Sequence, residues 1–282
     1  MKKILITGKN SYIGISFENW LMKEPDKYEV ETLDMKDESW KEKDFSQYDV
    51  VFHVAGIAHI KETRNNQNLY FQINRDLAFE VAKKAKFDGV NQFILLSSMS
   101  VYGIDNGVID KNTSVVPKTA YGRSKLEAEK LISLLHEENF IVACLRPPMV
   151  YGKGCKGNYP KLASFASITP VFPRVDNKRS MIYVDNLSEF VKILINEGRG
   201  GLFFPQNAEY VNISEMVKLI AESHGKRVLM TKVFNPLVKL LKVKIVNQLF
   251  GDLVYDLSIS EYISNYNVFG FHESINMTEK VQ

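Results

Sequence analysis

The chain has 282 residues, of which 45% are hydrophobic, so it can bury a sizeable core as one large domain or as a core with a smaller lobe. Its 36 basic and 33 acidic residues give a net charge of +3 and lie scattered along the sequence, which excludes a nucleic-acid footprint and leaves only a mild attraction for anionic ligands. The two cysteines, Cys144 in an apolar run and Cys155 in a glycine-rich stretch, have no metal-ligand spacing, so no metal site is expected and a reducing cytoplasm is the expected compartment.

At the amino terminus "MKKILITG" starts like a signal peptide, but the apolar run stops at Thr7-Gly8. No segment approaches the roughly 18 uninterrupted apolar residues of a membrane span. Short β-branched or aromatic runs then alternate with helical patterns: strands over 3–7, 29–33, 50–54, 92–97 and 140–145, helices over 12–22, 69–86 and 118–138. That alternation predicts an α/β fold, a Rossmann-type doubly wound parallel sheet with crossover helices, over residues 1–150. From Tyr151, "YGKGCKGNYP" and Pro170 and Pro173 read as loop, opening a smaller, mostly helical substrate lobe over 151–282. Within it, residues 181–204 are expected to return to the main sheet, with helices over 186–195 and 213–224, and the chain beyond about Val228 is expected to be helical. Lysines spaced among leucines and valines make residues 235–253 amphipathic, the pattern of a helix packed on a surface.

The first turn, "ITGKNSYIG", follows a strand and opens a helix. Gly8 and Gly14 supply the tight bend and the close helix-on-strand packing of a dinucleotide turn, while Ser11 stands where the middle glycine is usual. A small side chain at negative φ still lets backbone amides approach a pyrophosphate, and a serine hydroxyl can donate to it. Twenty residues after Gly14, Asp34 ends the next strand, placed to accept from both adenosine ribose hydroxyls. This favours NAD(H); Lys36 keeps NADP(H) open.

In "TAYGRSKLEAEK", Tyr121 and Lys125 share one helix face. An ammonium near a phenol favours the phenolate, so this spacing suits acid-base chemistry, and "ILLSSMSVYG" offers hydroxyl partners at the carboxyl end of a strand.

Taken together, "VFHVAG", "SSMSVYG", "YGRSK" and "LRPPMVYG" resemble, in order and spacing, the extended short-chain dehydrogenase/reductases of the nucleotide-sugar branch, over residues 1 to about 187. The resemblance implies a homodimer, an acid-base Tyr121, a Lys125 that binds the nicotinamide ribose, and Ser98 as the catalytic hydroxyl. It places the amides of Tyr12 and Ile13 against the pyrophosphate, Ala55, Asn74 and Pro148 along the cofactor, Ser100 and Asn158 at the substrate, and Arg179 on a UDP phosphate. The second phosphate-binding arginine of epimerases is missing around Gly251-Asp252-Leu253.

Sugar 4,6-dehydratases resemble the family with Asp-Glu after the catalytic hydroxyl; here Met99 and Ser100 stand there, against dehydration. Hydride chemistry at C4 remains. The short stretch between Asp34 and Val50 and the similarity of "GNYPKL" and "RSMIYVDNL" to 4-ketoreductases favour reduction of a UDP-4-keto-6-deoxy-N-acetylhexosamine for surface polysaccharide. The alternatives are a UDP-glucose or UDP-N-acetylglucosamine 4-epimerase, and a non-catalytic NAD(P) sensor, which would have no use for Ser98, Tyr121 and Lys125 together.

Overall fold

The computed structural model describes residues 1–58, 60–233 and 250–280. Six strands form one parallel sheet: β1 (Lys2–Thr7), β2 (Tyr28–Leu33), β3 (Val50–His53), β4 (Gln92–Leu96), β6 (Ile141–Leu145) and β10 (Gly201–Phe203), in the order β10-β6-β4-β3-β1-β2. β3 and β4 are buried along their length and β1 from Ile4 onward, which is why they read as apolar runs. After β2 the chain crosses to the other side of β1, making β1 and β3 the switch point at which ligands of open α/β sheets bind. A hydrogen bond of 2.7 Å between Thr7 and His53 joins those two strand ends. Burial drives the His53 pKa down to about 3, so the pin is neutral.

The crossover helices are α1 (Tyr12–Leu21), α2 (Gln67–Phe71), α3 (Ala78–Phe87), α4 (Ala120–Ser133) and α6 (Val184–Glu197). One turn of π-helix, Gln72–Leu77, links α2 to α3, so the expected helix over 69–86 is one run with a bulge at Asn74. Trp40, Phe45 and Tyr48, from the connection between β2 and β3, join Leu5, Val51, Val81, Phe93 and Ile132 in the core on one face of the sheet.

The chain divides into two compact units: Met1–Gly103, Ser114–Pro147 and Leu187–Pro205, and Ile104–Thr113, Pro148–Asn186 and Gln206–Gln282. The second contains β5 (Gly107–Ile109), β7 (Met149–Tyr151), α5 (Asn158–Ile168), β8 (Val171–Pro173), β9 (Met181–Tyr183), α7 (Ile213–Ser223), β11 (Leu229–Thr231), β12 (Leu253–Tyr255), α8 (Leu257–Ser260) and α9 (Phe271–Glu279).

Three expectations are corrected here. Of residues 181–204 only β10 joins the main sheet, whereas β9 pairs with β7. All three residues of β9 are buried, and a strand buried on both faces carries no mark of the sheet it will join. The stretch read as loop from Tyr151 contains α5 and, between Pro170 and the end of Pro173, the short strand β8. Gly157, at φ +98°, precedes that helix, and Pro160 lies in its first turn, where a missing N–H costs nothing. Beyond Val228 the lobe is not all helical: β11 pairs with β8 and β12 with β5. Most of the amphipathic stretch over 235–253 lies outside the described residues. Among the described residues no helix is long and apolar enough to cross a membrane.

Candidate active site

The turn after β1 is built around Gly8. Its φ is +116°, and a Cβ there would lie 2.8 Å from the Ala55 nitrogen, so β1 and β3 meet through bare backbone. Ala55 thus lines the turn by its main chain. Asn10 takes the one left-handed conformation among the described non-glycine residues, at φ +66°. Ser11 keeps φ at −73°, as its position demands, and its Oγ accepts the Gly14 N–H at 3.0 Å, capping α1. The serine that breaks the glycine pattern is therefore a helix cap, with its hydroxyl hydrogen still available to donate. Gly14 packs α1 tightly, since a Cβ would meet Ser11 Oγ at 2.6 Å and both Ile6 and Val54 at 3.2 Å. Tyr12 and Ile13 occupy the first turn, where no intrahelical carbonyl reaches the N–H groups. A helix N-terminus facing the end of a parallel strand, with no side chain at Gly8, fits a dinucleotide pyrophosphate. Asp34 follows β2, one carboxylate oxygen accepting the Lys36 N–H at 3.1 Å.

Ser11→Gly is expected to preserve dinucleotide affinity, because glycine at an N-cap costs only a few tenths of a kcal/mol. Ser11→Leu removes the cap and fills the approach, and calorimetric titration with NAD(H) should then show at least about a tenfold weaker complex.

Asn74 is fully buried and spends its amide on protein: Oδ1 accepts the Ile57 N–H at 2.8 Å, and Nδ2 donates to the Ile57 carbonyl at 3.0 Å and to Ser124 Oγ at 3.2 Å. It clamps the loop after β3 onto α4. Loop and helix are so close that a Cβ on Gly56 would meet Asn74 Oδ1 at 2.8 Å and Lys125 Nζ at 3.3 Å.

Helix α4 starts at Thr119, whose Oγ1 accepts the Gly122 N–H at 3.0 Å; the Ala120 N–H bonds the Glu62 carboxylate at 2.8 Å. Gly122 allows this helix to press on the turn after β4, a Cβ there falling 2.6 Å from the Ser100 carbonyl oxygen. Sequence reasoning missed Gly122; the glycine after the tyrosine in "YGRSK" was its only signal. Ser98 caps the turn Met99–Tyr102 by accepting the Ser100 N–H at 3.1 Å, and it hydrogen-bonds both the Ser100 hydroxyl and the Tyr121 side chain. Met99 turns inward, 9% exposed, so its position is spent on packing.

The electrostatics differ from expectation in one respect. Burial pushes the Tyr121 phenol up, opposed by its Ser98 hydrogen bond. Lys125 instead points its ammonium at the Leu96 carbonyl, 2.8 Å away, and burial brings its pKa down to about 8. The expected lowering of the tyrosine by its neighbour is thus replaced by a neutral phenol beside a buried ammonium.

Gly8, Ser11, Tyr12, Ile13, Gly14, Asp34, Ala55, Asn74, Ser98, Ser100, Tyr121 and Lys125 all belong to the first unit. A model of the NAD-dependent epimerase/dehydratase family matches residues 4–203. The chain belongs to this family. A UDP-glucose 4-epimerase from Vibrio cholerae is 28% identical over 91% of this chain and 88% of its own. The N-acetyl-alpha-D-glucosaminyl-diphospho-ditrans,octacis-undecaprenol 4-epimerase of Escherichia coli O157:H7 is 24% identical over 69% of this chain and 60% of that one. Among solved structures, a dTDP-4-dehydrorhamnose reductase from Clostridium acetobutylicum shares the fold with TM-score 0.74 at 19% identity, covering 98% of both chains. A UDP-glucuronic acid 4-epimerase from Bacillus cereus, in complex with NAD, gives TM-score 0.73 at 17% identity over 98% of this chain and 96% of that one. For this epimerase/dehydratase family member, the Rossmann-type sheet and the nicotinamide dinucleotide cofactor follow from membership, and the turn at Gly8 accommodates that cofactor.

The remaining candidates belong to the second unit. Pro148 is buried just before β7, and Asn158 is the exposed first residue of α5. Arg179 exchanges backbone hydrogen bonds with Val211 at 2.9 and 2.8 Å, and its Nη1 donates to the Gly251 carbonyl at 3.2 Å. Burial lowers its pKa against the opposing pull of Asp105 and Asp252. The segment that lacks a second arginine is therefore the seat of the first: Asp252 accepts the Lys178 N–H at 2.7 Å, and Gly251 holds the guanidinium.

Proposed function

We propose that this family member is an NAD(P)H-dependent reductase of the C4 ketone of a UDP-4-keto-6-deoxy-N-acetylhexosamine, working as a cytoplasmic homodimer in surface polysaccharide synthesis. The observation that carries this reading is Tyr121, held as a neutral phenol by burial and hydrogen-bonded to Ser98. A ketone reduced at C4 needs a proton at its oxygen, and a neutral phenol has one to give. The bound cofactor supplies the hydride. Ser98 and Tyr121 together bind and orient the carbonyl oxygen, their hydrogen bonds strengthening as negative charge grows on it, and Tyr121 then protonates it. Lys125 adds a buried positive charge to the same site. Arg179, whose guanidinium makes one hydrogen bond among the described residues, is assigned to the substrate diphosphate, with Asn158 as a further polar contact. The connection from Asp34 to β3 supports reduction as well, because Trp40, Phe45 and Tyr48 are committed to the core and little chain remains to cover an adenine that must leave each cycle.

A second reading, 4-epimerisation of a UDP-hexose, draws on the Vibrio cholerae relative. Assays with UDP-4-keto-6-deoxy-GlcNAc, following NADH and NADPH oxidation separately, decide between them. Stoichiometric oxidation of one cofactor is expected; interconversion of UDP-glucose and UDP-galactose with no net use of added cofactor would instead establish the epimerase.

The pH dependence follows from Lys125. Its ammonium persists below pH about 8, so kcat/KM for reduction is expected to fall as pH rises through that value, with the phenol of Tyr121 still protonated. The same shift acts on stability. Between pH about 8 and the free-lysine value of about 10.4 the unfolded chain holds more protons than the folded one, so this group's penalty on folding is relieved as pH rises across that window. A kcat/KM profile flat from pH 7 to about 10 would contradict the role given to Lys125.

A further inference from the structure

Behind the catalytic side chains the first unit buries a charge pair that the reaction does not touch. Glu129 stands one turn beyond Lys125 on α4, and Arg146 follows β6; each is only 6% exposed. Arg146 grips both carboxylate oxygens, Nη2 at 2.6 Å and Nε at 3.0 and 3.2 Å, and its Nη1 donates to the Tyr102 hydroxyl at 3.0 Å. The Ser97 hydroxyl donates to Glu129 Oε1. Taking two charges out of water costs several kcal/mol per ion, so such a pair is poor evidence of a stability device. What distinguishes this one is where its partners sit. Ser97 lies between Leu96, whose carbonyl receives Lys125, and Ser98, which holds Tyr121. Tyr102 ends the turn that carries Ser100, and Arg146 precedes Pro147, whose carbonyl accepts the Met99 N–H at 3.0 Å. One carboxylate therefore ties α4, the end of β4, the end of β6 and the turn between them.

We propose that Glu129 is a positioning residue of the active site: through Ser97 and Arg146 it fixes the strand ends that present Ser98, and from one turn along α4 it serves as the counter-charge of Lys125. This rests on the reading of Ser98, Tyr121 and Lys125 as the catalytic group. The titratable neighbours of Lys125 are consistent with the assignment. His53 on β3 is held neutral, Tyr121 on α4 is a protonated phenol, Arg146 after β6 is paired with Glu129, and the Cys144 thiol on β6 is pushed up to about 12 by burial. Glu129 is the charge that opposes burial at Lys125.

The test reads Lys125 itself, with no substrate present. In the full chain labelled with carbon-13 at the lysine side chains, the Lys125 resonance, assigned by its loss in Lys125→Met, is titrated by NMR. Wild type should show a midpoint near the value of about 8 set by burial. Glu129→Gln should lower the midpoint by about one pH unit, and Glu129→Asp, which keeps the charge, should restore most of it. Should Glu129→Gln fail to fold because Arg146 is left unpaired, the double variant Glu129→Gln/Arg146→Met removes both charges and should show a fall of the same sign, smaller because the repulsion from Arg146 goes too. An unchanged midpoint in either folded variant overturns the proposal. Where turnover is measured, the basic limb of kcat/KM should move down in step with the NMR midpoint. A lowered midpoint in a chain that turns over no nucleotide sugar would uphold Glu129 and remove the proposed reaction, so the two readings fail separately.

Discussion

Tyr121→Phe is expected to lower turnover of the 4-keto sugar by about 10²–10⁴-fold, the range that a positioned proton donor contributes. The variant deletes one oxygen and little else. The ring lies tilted against Tyr70 at 6.3 Å between centroids, and phenylalanine keeps that contact. Ser98 retains its bonds to the Ser100 hydroxyl and N–H, so the turn after β4 keeps its shape. Lys125 is anchored to the Leu96 carbonyl and not to the phenol, so its position is untouched. Dinucleotide affinity should accordingly stay within about threefold of wild type, with the loss falling on kcat and kcat/KM equally, as for an interaction made only in the transition state. Single-turnover measurements at saturating NAD(P)H separate the two. Retention of more than about a few per cent of the wild-type rate would mean that another group protonates the alkoxide, and the assignment of Tyr121 would fail.

How far the site could be read before the structure depends on what each residue does. The placement of Gly8, Gly14, Tyr121 and Lys125 was legible because it is tied to spacing along one element: a strand, a turn and a helix give the first pair their setting, and one helical turn separates the second. The parallel sheet was legible for the same reason, each crossover helix announcing itself by its period. Ser11 was legible as tolerated but not as a cap, since capping depends on where the helix begins to the residue. Asn74 and Glu129 were not legible in the roles they fill. Asn74 serves a loop 17 residues upstream, and Glu129 an arginine 17 residues downstream, so neither role leaves a local period. The electrostatics of Tyr121 and Lys125 were misjudged from spacing alone, because a helix face places two side chains near each other without saying which carbonyl the ammonium will choose. In the second unit the glycines and Pro160 hid α5, although a proline in a first helical turn is no breaker.

Gly8→Ala should damage the dinucleotide site more than any other single methyl group. Two separate costs meet at this position. Its φ of +116° is a conformation that an L-residue adopts only under strain of about 1–3 kcal/mol, and the new Cβ would stand 2.8 Å from the Ala55 nitrogen and 3.0 Å from its Cα. Neither neighbour can yield: Ala55 is main chain next to β3, and β3 is pinned to β1 by Thr7 and His53. The methyl group must therefore push the turn outward, away from the strand end and into the space that the pyrophosphate takes. Affinity for NAD(H) should fall by at least about tenfold, equal to about 1.4 kcal/mol, and the melting temperature should drop by about 2–4 °C for each kcal/mol of strain retained in the folded state. Gly89→Ala supplies the control. Its φ of +83° carries a comparable backbone cost, but a Cβ there meets nothing within 4 Å. That variant should lose stability and keep its cofactor, whereas equal losses of affinity in both would show that strain anywhere in the fold loosens the site, and would remove the argument that β1 and β3 touch at Gly8 for the sake of the dinucleotide.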